Sequence, residues 1–167
     1  MAIRNIRTMG DEVLVKKSRP VTKMTPKIEV LIEDMKDTMY EAMGVGLAAP
    51  QVGVLKRIIV IDVGEGPIVF INPQIKEMDG EQIGDEGCLS VPGKVGQVKR
   101  PNHVVVEALD EDMKPFTLEG EGLLARAICH ECDHLDGILY VGYVEGELRD
   151  VAQDYEDYEQ EDDLEEE

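Results

Sequence analysis

An α+β fold is predicted, with antiparallel sheets packed around a helix that carries an HExxH motif, plus an N-terminal and a C-terminal helix. Three observations carry this. Apolar residues between Ile28 and Met43 recur at three- and four-residue spacing, as on one face of a helix. Several short Val- and Ile-rich runs follow, divided by Gly, Pro and Asp, as antiparallel strands require. Helical patterning then returns late in the chain. That order differs from the strand–helix alternation of parallel sheets. A chain of 167 residues, 43% of them apolar, suffices for one domain with a substantial core.

The elements follow in order. An opening arm with isolated apolar residues (Ile3, Ile6, Val13, Leu14, Val15) runs to Pro20-Val21. Thr25 before Pro26 gives an N-cap followed by proline at the first helical position. From there Ile28, Leu31, Ile32, Met35, Met39 and Met43 form the stripe of a helix ending near Gly44. A small-residue loop, GVGLAAPQVG over residues 44–53, comes next. Strands are expected at Arg57–Val63, Ile68–Asn72, Ile75–Met78, Val95–Arg100 and Val104–Leu109. A second helix is expected from about Glu119 to Leu135. A third is expected from about Glu147, with Leu148, Val151, Ala152, Tyr155 and Tyr158 on one stripe, fraying beyond Gln160. Residues 1–147 then form the catalytic domain and 148–167 an acidic C-terminal helix or tail.

Charge is uneven. The net charge is −19, and residues 145–167 hold thirteen acidic residues against one arginine. This disfavours direct DNA or RNA binding through a broad basic face. The tail reads most simply as a solubilising end. The opening MAIRNIRTMG is too polar for a signal peptide, and no apolar run reaches membrane-spanning length. Three cysteines form no disulfide scaffold. A cytoplasmic protein without membrane association is expected.

The chemistry concentrates in CHECDHLDG, residues 129–137. On a helix, His130 and His134 lie roughly 40° apart, so two imidazoles reach one ion. Glu131 flanks them, placed for a metal-bound water rather than the metal. Two ordinary helix histidines are the plain alternative. The overlapping CxxC, Cys129 and Cys132, faces roughly the opposite way and reads best as core packing. A catalytic metal needs a third protein ligand and an open position. No third His or Glu follows at the spacing of common zinc proteases, and His103 reads as a surface residue. Cys88, in EGCLS, remains, giving a His₂Cys set suited to Fe2+, Co2+ or Zn2+.

Three segments together resemble the peptide deformylase family: GVGLAAPQ at 44–51, EGCLS at 86–90 and HECDHLDG at 130–137. The resemblance covers about residues 1–150. It implies an enzyme removing the formyl group from the N-terminal formylmethionine of newly made polypeptides, with release of formate. It implies Cys88, His130 and His134 as ligands of one divalent metal, typically Fe2+, with Zn2+, Ni2+ or Co2+ substituting. It implies Glu131 as general acid/base, and the Gln51 amide and the Leu89 N–H as oxyanion donors. For the methionine side chain it suggests Val45, Leu123 and Ala127, with Gly46 beside an extended peptide; these read equally as core packing. An Arg100–Glu86 pair bracing the Cys88 segment is a further expectation. Some relatives dock on the ribosome through a basic C-terminal helix, which this acidic tail does not resemble. Many have Gln where this chain has Cys129, and some carry Arg at the place of Val95. The rival class is a generic HExxH metallopeptidase, which has no use for Gln51 or Cys88.

Overall fold

The computed structural model describes residues 2–151. After a short 3-10 turn at Glu12–Val15 comes helix α1, Pro26–Glu41. Strands β1 (Gly46–Ala48), β2 (Ile58–Ile61), β3 (Ile68–Asp79), β4 (Gln82–Cys88), β5 (Val91–Arg100), β6 (His103–Leu109) and β7 (Pro115–Glu121) follow. Helix α2 spans Leu123–Leu135 and strand β8 spans Val144–Asp150. The strands form two antiparallel sheets: five strands in the order β1-β2-β3-β6-β7, and three in the order β4-β5-β8.

Helix α1 forms as its sequence dictates. The Thr25 hydroxyl accepts the Ile28 N–H at 3.3 Å, and Pro26 needs no partner at the first turn. Ile28, Leu31, Ile32, Met35 and Met39 are buried against Ile58, Val60 and Ile71. Met43, expected on that stripe, lies beyond the helix end at φ 56° and is 90% exposed. Helix α2 covers the opposite face of the same sheet: Ala125, Ile128 and Leu135 pack on Ile59, Ile61 and Phe70. Alternate residues of β2 thus enter two different cores, which is why its run IIVI is apolar throughout. Helix α2 also contacts β5 of the smaller sheet.

Four expectations need correction. The third helix, expected from about Glu147, does not begin there: residues 144–150 form β8, paired with β5, and Val151, the last described residue, is helical. Pairing with an open strand edge outweighs a weak helical stripe. Ala152, Tyr155, Tyr158 and the fraying end lie outside the described residues. The second helix begins at Leu123, because Glu119 belongs to β7 and Gly122, at φ 60°, breaks the path between them. The runs 68–72 and 75–78 are one strand with a bulge at Asn72, whose φ of 51° lets its side chain hold both the N–H and the C=O of Val21. Strands β4 and β7, rich in Gly and Glu, were not expected at all.

The opening arm positions the site from outside. The Arg7 N–H donates to the Gln51 carbonyl at 2.7 Å, and the Met9 N–H to the Ser90 carbonyl at 2.8 Å. Gly137, ending the HECDHLDG segment, has φ 75°, and a Cβ there would lie 2.6 Å from the Val15 backbone. Only glycine lets the arm pass so close to the end of α2. Among the described residues no helix is long and apolar enough to cross a membrane.

Candidate metal centre and substrate cleft

Helix α2 presents His130 and His134 on one face, their rings edge to face with centroids 5.0 Å apart. Cys88 arrives from the end of β4, just past a register shift against β5. Its Sγ is 3.3 Å from His134 Nε2. One donor atom from each of Cys88, His130 and His134 lies within 4.8 Å of the other two, the one cluster of its kind among the described residues. A tetrahedral ion with ordinary bond lengths holds N and S donors about 3.4–3.6 Å apart, so the residues fit a divalent metal.

The surroundings strengthen that fit. His130 Nδ1 is 2.7 Å from Glu86 Oε2, which leaves Nε2 for an ion. Glu86 also takes both arms of Arg100, at 3.0 and 2.6 Å, and Arg126 Nη1 at 3.0 Å. The expected Arg100–Glu86 pair is therefore present and bidentate. Burial opposes the charge on Glu86, but His130 and Arg100 overcome it and hold the carboxyl at about 2. Burial, joined by the charge of His130, lowers His134 to about 3, so its imidazole stays neutral and able to ligate. His130 goes the other way. Burial alone would depress it, yet the charge of Glu131 and the contacts with Cys88 and Glu86 raise it well above the ordinary value.

Glu131 lies 4.0 Å from His134 Nε2 and is buried, and burial pushes its carboxyl to about 7. Among the described residues its Oε1 and the His134 Nδ1 are buried without a hydrogen-bond partner, an unusual condition that calls for one. Gly46 explains how the carboxylate is approached so closely: a Cβ there would stand 2.4 Å from Glu131 Oε2. Gln51 is held on the short turn Ala49–Val52. Its Oε1 accepts the Ala48 N–H at 2.9 Å, and its Nε2 donates to Ser90 Oγ at 3.0 Å and to Cys88 Sγ at 3.6 Å.

A cleft of about 670 Å³ opens over these groups. Val45, Gly46, Leu89, Leu123 and Ala127 line it together with Glu131. Val45 is 39% and Leu123 54% exposed, so both face the cleft rather than a core, while Ala127 also belongs to the apolar cluster beneath α2. Every anticipated site residue except His134, which lies deeper, thus borders the cleft. Cys129 lies in the apolar cluster and Cys132 packs against it, on the face away from the histidines as expected. His103, on β6, pairs with Asp79 and Glu119.

Three residues were not anticipated. Arg126 ties α2 to Glu86, to the Val98 carbonyl and to Gln82. Asp133 binds Arg100 Nη1 at 2.8 Å, and Ser90 fixes the Gln51 amide. Arg126 stands one helical turn before His130, on the same face. A cation on that face requires a buried carboxylate, and that spacing was the available signal.

Two imidazoles and a thiol around one point, with a buried carboxylate beside them under an open cleft, define the class of metal-assisted hydrolases. Comparison with known proteins is more particular. The family described as Polypeptide deformylase matches residues 3–150. A peptide deformylase of Agathobacter rectalis is 69% identical over 157 residues, covering 94% of this chain and 98% of the relative. One of Lachnoclostridium phytofermentans is 64% identical over 164 residues, covering 96% and 100%. The crystal structure of a peptide deformylase from Legionella pneumophila superposes with a TM-score of 0.84 at 48% identity, covering 86% of this chain and 87% of that one. One from Synechococcus elongatus, in complex with actinonin, gives 0.83 at 44% identity, covering 86% and 79%. The chain belongs to the polypeptide deformylase family.

Proposed function

We propose that the chain hydrolyses the N-formyl group from the N-terminal formylmethionine of newly made polypeptides and releases formate. One observation carries the reading: Cys88 and Gln51, from separate segments, converge on the HExxH helix, with Gln51 Nε2 3.6 Å from Cys88 Sγ. A generic HExxH peptidase leaves both residues without a task. The reading includes a cytoplasmic location. It includes the translating ribosome as a partner, reached by a mode other than a basic C-terminal helix, since residues 152–167 are acidic.

A divalent ion, when bound, supplies a water acidified towards neutral pH and a Lewis acid beside the formyl oxygen. Cys88 Sγ and the Nε2 atoms of His130 and His134 would hold it. Fe2+ is the metal the family resemblance favours, with Zn2+, Ni2+ or Co2+ as substitutes. Glu131 takes a proton from the attacking water; a buried carboxyl at about 7 both accepts and returns one near neutral pH. The proton then passes to the leaving amine. The Gln51 amide and the Leu89 N–H donate to the formyl oxygen as negative charge grows on it, and one such donor is worth roughly 3 kcal/mol. Val45, Leu123 and Ala127 receive the methionine side chain, and Gly46 lets the peptide backbone approach.

The test compares formyl-Met-Ala-Ser, its acetyl analogue and an unformylated peptide, using anaerobically Fe2+-loaded protein. Formate from the first alone is expected. Cleavage of internal peptide bonds without any need for a formyl group would point to the peptidase.

A further inference from the structure

Among the described residues three other than glycine have positive φ, and of these Met43 alone, at φ 56°, borders the cleft. It sits in the turn that ends α1. The Met43 N–H donates to the Tyr40 carbonyl at 3.0 Å, and the Gly44 N–H to the Met39 carbonyl at 2.9 Å. In that helix-ending motif the residue after the cap turns left-handed, a place for glycine or asparagine, since a Cβ there crowds the following carbonyl. Gly44 stands next in the chain, yet the left-handed position falls on methionine. Packing gives no reason for this. Met43 is 90% exposed and belongs to none of the apolar clusters. A strained backbone and an uncovered apolar side chain both work against folding, and both occur here at the rim of the cleft.

We propose that Met43 determines specificity: it gives the site a preference for formyl peptides with a large apolar side chain in one of the two residues after the formylated one. The inference rests on the reading of the cleft as a formyl-peptide site and goes beyond the methionine pocket of Val45, Leu123 and Ala127. At about 670 Å³ the cleft takes a drug-sized molecule, more than a formylmethionyl group fills. The reach is right. Gly46, where a Cβ would stand 2.4 Å from Glu131 Oε2, is three residues from Met43, at most about 11 Å of chain. An extended peptide with its formyl carbon over Glu131 carries its second and third Cα atoms roughly 6–10 Å from that carbon. Methionine suits the task, since its flexible thioether adapts to several apolar partners. Covering about half of a leucine side chain strengthens binding about five-fold.

The test uses the metal-loaded full chain, Met43→Asn and Met43→Leu. Asparagine accepts the left-handed turn but is not apolar; leucine stays apolar and equally strained. Formyl-Met-Leu-Ser, formyl-Met-Ser-Leu and formyl-Met-Ser-Ser are assayed for formate, the last normalising each protein. In the wild type the better leucine peptide should exceed that reference about five-fold in kcat/KM, mainly through KM. Met43→Leu should keep the advantage, and Met43→Asn should bring it within about 1.5-fold, with formyl-Met-Ser-Ser turnover within about two-fold throughout. Met43→Asn should also raise Tm by a few degrees, which loss of a residue kept for stability would not do. A leucine advantage that survives Met43→Asn, or none in the wild type, overturns the proposal. A lowered Tm in Met43→Asn overturns it as well, by giving the methionine a structural role. Failure of all three peptides to yield formate overturns the reading of the cleft itself, a distinguishable result.

Discussion

Glu86→Gln is the most demanding perturbation of this site. The Glu86 side chain is 4% exposed and accepts from Arg100, Arg126 and His130 at 2.6–3.0 Å. Glutamine preserves the shape, removes the charge, leaves Arg126 buried without its carboxylate and leaves Arg100 with Asp133 alone, at 2.8 Å. The lowering of Glu86 from 4.5 to about 2 corresponds to about 3 kcal/mol of folding stability at neutral pH. Breaking a buried pair by removing one partner generally costs about 3–5 kcal/mol, a cost of the same order. The sign is set by the depressed value: the contribution is complete above the unfolded value of 4.5 and is lost as pH falls towards about 2. Urea unfolding of the metal-free protein at pH 7 should show the variant about 3 kcal/mol less stable, roughly 6–12 °C lower in Tm. At pH 2 the gap should nearly close. A loss below about 1 kcal/mol at pH 7, or one that persists unchanged at pH 2, would refute the reasoning. Because Glu86 also orients His130, metal affinity should fall about 10–100-fold.

Other consequences follow from single contacts. In Gly46→Ala the new Cβ, 2.4 Å from Glu131 Oε2, displaces the carboxylate; formate release should fall about 100-fold with metal content unchanged, as paired activity and metal analysis would reveal. Gly137→Ala forces alanine to φ 75° against the Val15 backbone and should cost about 1–3 kcal/mol in denaturant unfolding. Burial pushes the Cys129 thiol up to about 11 and raises Cys132 further. Both should therefore resist iodoacetamide in the folded protein at pH 8, by mass spectrometry, and Cys129→Ser with Cys132→Ser should keep most of the turnover.

The parts of the molecule legible in its sequence were those whose geometry is local. Helical period alone placed His130, Glu131 and His134 on one face and Cys129 on the other, and α1 followed from Thr25, Pro26 and its apolar stripe. Cys88 was reachable because a metal site needs a third donor and few candidates existed. What escaped depended on partners far along the chain. Arg126 looked like an ordinary helix cation until β4 brought Glu86 beside it, and Asp133 acquired meaning only from Arg100 on β5. Strand β8 was misread because Leu148 joins a helical stripe with Val151, which lies just beyond the strand, whereas the open edge of β5 decides residues 144–150. Strand β4, QIGDEGC, has little apolar alternation, yet it delivers both Glu86 and Cys88.

The central claim is that Glu131 moves the proton in formyl hydrolysis at a metal held by Cys88, His130 and His134. Glu131→Gln tests it most directly, with bound metal and formate release from formyl-Met-Ala-Ser measured on the same sample. One equivalent of metal retained, with kcat reduced about 10²–10⁴-fold, is the predicted result. Full metal content with turnover within a few-fold of wild type would contradict it.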